Sequence, residues 1–151
     1  MNTNATFKLA SELCKQFEGF HRVRKSDGLA LPYICPAGYW TIGYGTLCSK
    51  SHPPIHKGEA ELYLYRHLAK DFTELLKYSP TIVNATNGQV AALLSFVYNL
   101  GISRYRSSTL RRRVNEGDWE SAKKELQKWV YGGGKKLPGL VARRKVESRM
   151  M

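Results

Sequence analysis

Apolar residues recur along most of this chain at the three- and four-residue steps of an α-helix. Phe7, Ala10, Leu13 or Cys14, and Phe17 share one face of a first predicted helix. Asn2, Asn4 and Thr6 can each cap its start, and Gly19 suits the left-handed residue that closes it. The longest pattern covers residues 57–77, with Ala60, Leu64, Leu68, Phe72 and Leu75 on one side, and halts at Ser79-Pro80. Thr86-x-x-Gln89 is a capping box ahead of Val90, Leu93, Leu94 and Val97, which predicts a buried helix ending near Gly101. Residues 108–116 form a short basic helix closed by Gly117. Asp118 then caps a helix carrying Trp119, Ala122, Leu126, Trp129 and Val130. Gly132-Gly133-Gly134 reads as a mobile connector. Pro138 fits the first turn of a last helix, whose Arg143, Arg144, Lys145 and Arg149 are expected to face outward around Leu140, Val141 and Met150.

Between the first two helices the pattern changes. Residues 33–45, YICPAGYWTIGYG, mix aromatic and β-branched side chains, which favour short strands, with turn markers at Pro36, Gly38, Gly43 and Gly45. Residues 21–28 are polar and basic and predict an exposed hairpin tip turning at Asp27-Gly28. Residues 48–55 are a loop broken by Pro53 and Pro54. The fold class that follows is α+β, mostly helical, without internal repeats or a second domain.

At 151 residues with 42% hydrophobic content, the chain can bury a real core. No apolar run is long enough to span a bilayer, and the N-terminal residues do not read as a signal peptide. The expectation is a soluble cytoplasmic chain. A net charge of +12 predicts attraction to polyanions. Cys14, Cys35 and Cys48 are odd in number and lack metal-type spacing, which suits reduced thiols. With no metal cluster, phosphate-binding glycine loop or dinucleotide fingerprint, neither metal nor cofactor is implied.

Glu18 is the first chemical candidate. It closes the first predicted helix, next to the glycine that ends it. On an open surface such an acid matters little; in a cleft it makes a proton donor. Asp27 is a second carboxylate, on a turn tip without rigid support, and His21 is a loop base or a plain exposed residue.

Glu18, Tyr33, Gly38 and the block Thr41-Ile42-Gly43-Tyr44-Gly45 resemble the signature of the phage-type lysozymes, the endolysins of glycoside hydrolase family 24. The likeness continues through Asn99-Leu100-Gly101, Ser108-Thr109-Leu110, Asn115-x-Gly117, Trp129, glycines 132–134 and Gly139-Leu140-Val141-x-Arg143-Arg144. It departs in three places. Cys35 stands where many members carry Asp, Thr46 replaces a His, and the interval from Glu18 to Cys35 is longer, which implies an insertion.

The resemblance implies a single lysozyme-like domain over residues 1–151. A small N-terminal lobe of about residues 13–60 carries a β-hairpin sheet. The linking helix, residues 57–77, joins it to an all-helical lobe of about residues 80–151, and the N-terminal helix covers residues 5–17. Glu18, Cys35 and Thr41 are its catalytic residues. Glu18 would protonate the leaving oxygen of a glycosidic bond. Cys35 could attack as thiolate, orient water beside Thr41, or merely pack the hairpin. Tyr98 and Asn99 are the substrate-binding candidates, Trp129 belongs to the core, and the neighbours of Arg144 in the motif suggest that it, unlike the other cations of the last helix, is paired inside the lobe. The implied activity is hydrolysis of the β-1,4 bond between N-acetylmuramic acid and N-acetylglucosamine in peptidoglycan, by a monomer that waits in the host cytoplasm for a separate holin. Two other readings stand beside it: a lytic transglycosylase using Glu18 alone, and a cationic membrane-disrupting protein. The partners expected are glycan strands and, through the basic last helix, an anionic outer-membrane surface; no specific nucleic acid is expected.

Overall fold

The computed structural model describes residues 1–151. Its helices are α1 (Thr3–Glu18), α2 (Lys57–Tyr78), α3 (Asn87–Leu100), α4 (Ile102–Arg106), α5 (Thr109–Asn115), α6 (Trp119–Leu126) and α7 (Pro138–Met150). A three-stranded antiparallel sheet holds β1 (Tyr33–Ile34), β2 (Trp40–Ile42) and β3 (Thr46–Leu47) in that order, and β4 (Tyr131–Gly132) pairs with β5 (Lys135–Lys136). The fold is mostly helical with a small antiparallel sheet, as expected. Two compact units divide the chain, one of residues 11–67 and one of residues 1–10 with 68–151.

In the smaller unit the sheet is short because its turns are tight. Cys35 N–H donates to Tyr39 O at 2.9 Å, and Gly38 N–H to Cys35 O at 2.8 Å. Pro36, Ala37 and Gly38 therefore make a three-residue loop, and Gly38, at φ 88°, supplies its left-handed residue. The longer interval after Glu18 is spent on a second, basic hairpin. Arg24 N–H bonds Leu29 O, Gly28 N–H bonds Arg24 O, and Ala30 bridges to both Val23 and Ile55. Ala30, Ile42, Tyr44, Ile55 and Leu64 are buried beneath.

The larger unit is built around α3, in which every residue from 90 to 98 is buried. Both arms of its capping box form: Gln89 N–H to Thr86 Oγ1 at 3.1 Å, and Thr86 N–H to Gln89 Oε1 at 2.9 Å. Its N-terminal turn lies against the end of α7 so closely that a Cβ on Gly88 would fall 2.4 Å from the Met150 carbonyl oxygen.

Helix α7 overturns the outward placement expected of Arg143, while Arg144 has the interior pairing that its motif neighbours suggest. Arg143 and Arg144 are 3% and 1% exposed, and Glu147 is fully buried. Glu147 Oε1 accepts from Ser95 Oγ at 2.6 Å and from Arg144 Nη2 at 2.9 Å, while Arg144 Nε lies 2.8 Å from Oε2. Arg144 Nη2 also reaches Asn99 Oδ1 at 2.9 Å, and its guanidinium sits 5.0 Å from the centre of the Phe96 ring. Arg143 donates to the Ser95 carbonyl and hydroxyl, both at 3.2 Å. Burial pushes the Glu147 carboxyl up, and the two guanidiniums and Ser95 work against that push. The cause of the reversal is α3, which places Ser95 and Asn99 one turn apart on the face that meets α7. Only polar partners satisfy them there. Lys145 and Arg149 remain exposed.

Two further expectations are corrected. Helix α6 stops at Leu126, short of Trp129, whose ring instead lies edge-on to Phe96 with centroids 5.6 Å apart. The predicted mobile connector is the β4–β5 hairpin. Gly133 and Gly134, at φ 58° and 77°, form its two-residue turn, a geometry that needs two left-handed residues.

Removing Glu147 would leave two guanidiniums buried without their anion. Glu147→Ala is expected to cost about 3–5 kcal/mol, read as a large fall in Tm, whereas Glu120→Ala, at an exposed pair with Lys123, should leave Tm unchanged. Asp71 on α2 gives a pH signature. Burial, with help from Glu74 and against Lys70, pushes its carboxyl from 3.8 to about 7. A folded carboxyl that holds its proton more tightly than the unfolded one stabilises fully below the unfolded value and loses that contribution as pH rises through the folded value. Asp71→Asn should match the wild type near pH 4 and exceed it in Tm by pH 8, the free-energy gap growing by at most about 1.4 kcal/mol per pH unit between the two carboxyl values.

Candidate active site

Helix α1 ends at Glu18 because Gly19 turns left-handed, φ 72°, while its N–H still closes on Lys15 O at 3.1 Å. That glycine also makes room. A Cβ on Gly19 would lie 2.8 Å from His21 Nε2, so its absence lets the imidazole fold back, where Nε2 bonds the Glu18 carbonyl oxygen at 2.5 Å. A carbonyl only accepts, so this nitrogen carries the proton. The same ring lies edge-on to Tyr33, centroids 5.3 Å apart, and Tyr33 is the cross-strand partner of Thr41. The end of the acid-bearing helix is thus tied to the sheet through one histidine and one tyrosine.

Around the Tyr33 hydroxyl the acids gather. Burial pushes this phenol up, and the negative charges of Glu18, Cys35 and Cys48 push it further. Cys35 opens the β1–β2 turn, half-buried. The Tyr39 N–H, the Thr41 hydroxyl and the Ala37 and Gly38 N–H groups draw its thiol below the ordinary value, against a smaller opposing effect of burial. Thr41 is buried, and its hydroxyl donates to Tyr39 O at 2.9 Å. A hydroxyl has a single hydrogen, so Tyr39 O and a Cys35 thiolate compete for it. Asp27 has another occupation: it pairs with Arg24 and accepts from Leu29 N–H at 3.1 Å, which holds its carboxyl below the usual range and closes the tip of the basic hairpin.

The larger unit holds the other two candidates on α3. Tyr98 is buried, and the Asn99 side-chain amide oxygen is occupied by Arg144. Beside them lies a 530 Å³ cavity lined by Leu100, Arg104, Lys128, Trp129, Tyr131 and Gly132. It pairs an exposed aromatic ring with two cations, a combination suited to a sugar bearing carboxylates. Sequence reasoning missed Arg104 and Tyr131, although an aromatic beside a glycine turn was there to be noticed. It also missed the parts that His21 and Tyr33 play.

The family model described as Phage lysozyme matches residues 15–147. The chain belongs to the phage lysozyme family. It is 35% identical over 139 residues to an endolysin of Acyrthosiphon pisum secondary endosymbiont phage 1, covering 88% of this chain and 94% of that one. An endolysin from Escherichia coli O157:H7 phage FAHEc1 superposes with a TM-score of 0.77 at 30% identity, covering 95% of this chain and 90% of that one. The muramidase domain of SpmX from Asticaccaulis excentricus gives the same TM-score at 28% identity, covering 93% and 92%. As a phage lysozyme the chain is a peptidoglycan-hydrolysing enzyme of the endolysin kind. No helix in it is long and apolar enough to cross a membrane.

The three thiols of this phage lysozyme sit in different surroundings. Cys35 is drawn toward thiolate, burial pushes Cys48 the other way, and Cys14 is fully buried. Since thiolate is the reactive form, iodoacetamide near pH 7 should label Cys35 first, Cys48 slowly and Cys14 only on unfolding. Peptide mass mapping over time reads the order, and faster labelling of Cys48 would contradict it.

Proposed function

We propose that this lysozyme cleaves the β-1,4 bond between N-acetylmuramic acid and N-acetylglucosamine, with Glu18 as proton donor and Cys35 and Thr41 serving the opposite side of the reaction. Glu18 gives its proton to the glycosidic oxygen as the C1–O bond breaks, and positive charge develops at C1 and the ring oxygen. An anion near that charge lowers the barrier. Cys35 is the group suited to supply it, because four N–H or O–H donors favour its thiolate. Water or the sulfur then completes the bond at C1, with Thr41 free to orient water through its lone pairs.

The observation that carries this reading is the contact chain from Glu18 through His21 and Tyr33 to the strand bearing Thr41. It ties the end of the acid-bearing helix to the sheet, and the charges of Glu18 and Cys35 both act on the Tyr33 phenol. Rigid support of this kind is what a catalytic group needs, and an exposed helix-end glutamate has no use for it. The setting that goes with this reading is lysis of a host cell at the end of infection.

Mass spectrometry of fragments from purified peptidoglycan tests the chemistry. Wild type should release reducing N-acetylmuramic acid ends; 1,6-anhydro ends would move the enzyme to transglycosylation. Glu18→Gln should keep its fold and lose at least about a hundredfold in rate. Cys35→Ala should be sharply slower and Cys35→Asp should retain much of the activity. Full activity of a folded Glu18→Gln protein would end the proposal, and full activity of Cys35→Ala would leave the sulfur a packing role.

A further inference from the structure

The larger unit carries a second polar pocket, apart from any residue placed in catalysis. It has a volume of 410 Å³ and is lined by Arg106, Ser107, Ser108, Arg111, Arg112, Asn115 and Glu116. We propose that it binds the phosphate group of a phosphorylated glycan, an anionic envelope polysaccharide, separately from the strand being cut.

The first argument is the placement of charge. The Arg106 and Arg111 guanidiniums lie 5.9 and 5.2 Å from the centre of the same Tyr78 ring, and Lys77 Nζ lies 5.5 Å from it. Three cations crowd one aromatic residue, and Arg112 opens into the adjoining pocket. The one carboxylate in the lining, Glu116, is 3.0 Å from Arg113 and is neutralised there. Like charges held together raise the energy of the fold, and an anion bound among them removes that cost.

The second argument is preorganisation. Arg111 is held by Nε to Tyr78 O at 3.1 Å and by Nη1 to Arg106 O at 3.0 Å, and Asn115 Nδ2 reaches Tyr78 O at 3.1 Å. The guanidinium therefore keeps its orientation without a ligand, and its fork of donors suits phosphate oxygens.

The lining chooses the kind of partner. It contains no apolar side chain to meet lipid tails, which disfavours a membrane. Tyr78 gives its ring to the cations and does not line the pocket, so nothing there stacks a base, as single-stranded nucleic acid requires. Ser107 offers a hydroxyl and Asn115 its amide oxygen, groups of the sort that meet sugar hydroxyls, while the Ser108 hydroxyl is taken up at the start of α5, donating to Tyr105 O and accepting from Arg111 N–H.

The test titrates the isotope-labelled full chain by NMR with glucose 6-phosphate, glucose, phosphatidylglycerol vesicles and an oligothymidylate. Expected are saturable shifts of the Arg106, Arg111 and Arg112 Nε–H signals with glucose 6-phosphate and none with glucose. Arg106→Gln/Arg112→Gln should weaken that binding about tenfold or more, while purified peptidoglycan is still hydrolysed at the wild-type rate. Lys135→Gln/Lys136→Gln, which removes the same charge from exposed positions elsewhere, should bind as wild type does. Absence of saturable shifts, equal loss in both double variants, or tighter pocket-dependent binding of vesicles or oligothymidylate would each overturn the assignment. Because binding is the readout, failure here is distinct from failure of the Glu18 mechanism.

Discussion

A carboxylate with no solvent contact decides how the larger unit is put together. Glu147 on α7 can be buried because Arg143 and Arg144 precede it by one turn and Ser95 on α3 donates to it. Each partner is in turn constrained: Arg144 by Asn99 and the Phe96 ring, Arg143 by the Ser95 backbone. An apolar contact would tolerate rotation of α7 about its axis; this one does not, since a small turn would strand three charges without partners. The orientation of α7, and the close approach of its end to Gly88, follow from that requirement.

The smaller unit reaches definition by another route. Its strands are two or three residues long, too short for pairing alone to hold them. Position is imposed by turns: Gly38 closing the β1–β2 loop, Gly19 ending α1, and the basic hairpin bridged to Ile55 through Ala30. The groups assigned to chemistry sit on those turns. Glu18 precedes one, Cys35 opens another, and the imidazole that connects helix to sheet occupies space that Gly19 leaves open.

Much of this was legible in the sequence because it is local. Thr86 with Gln89, Ser108, Asp118 and Gly101 announce helix ends through bonds spanning three or four residues, Pro138 does so through its fixed φ and missing N–H, and each appears where expected. The resemblance around Thr41-Ile42-Gly43-Tyr44-Gly45 pointed to the family. Part of what stayed hidden depends on contacts distant along the chain. Arg143 read as part of a solvated face because hydrophobic periodicity cannot distinguish a paired buried charge from an exposed one: its anion, Glu147, is only four residues on, but the α3 groups that bury the cluster, Asn99 and Ser95, lie 45 to 52 positions from the α7 residues they bind. Helix α6 looked longer because Trp129 and Val130 keep the apolar pattern while packing outside the helix. Three consecutive glycines suggested slack, yet two of them are what a tight hairpin demands. His21 looked like a loose loop residue because its partner is a main-chain oxygen, which no side-chain pattern reveals.

The turn that holds Cys35 has an outcome beyond hydrolysis. Donors that favour a thiolate also speed its oxidation, and the turn leaves this sulfur accessible. A carboxylate at the same corner would be indifferent to peroxide. A sulfur there passes first to sulfenic acid, a step that thiols reverse, and only later to forms they cannot repair. An enzyme that used this sulfur would lose activity in an oxidising envelope and regain it with reductant, so its working life would depend on redox conditions as well as on its fold.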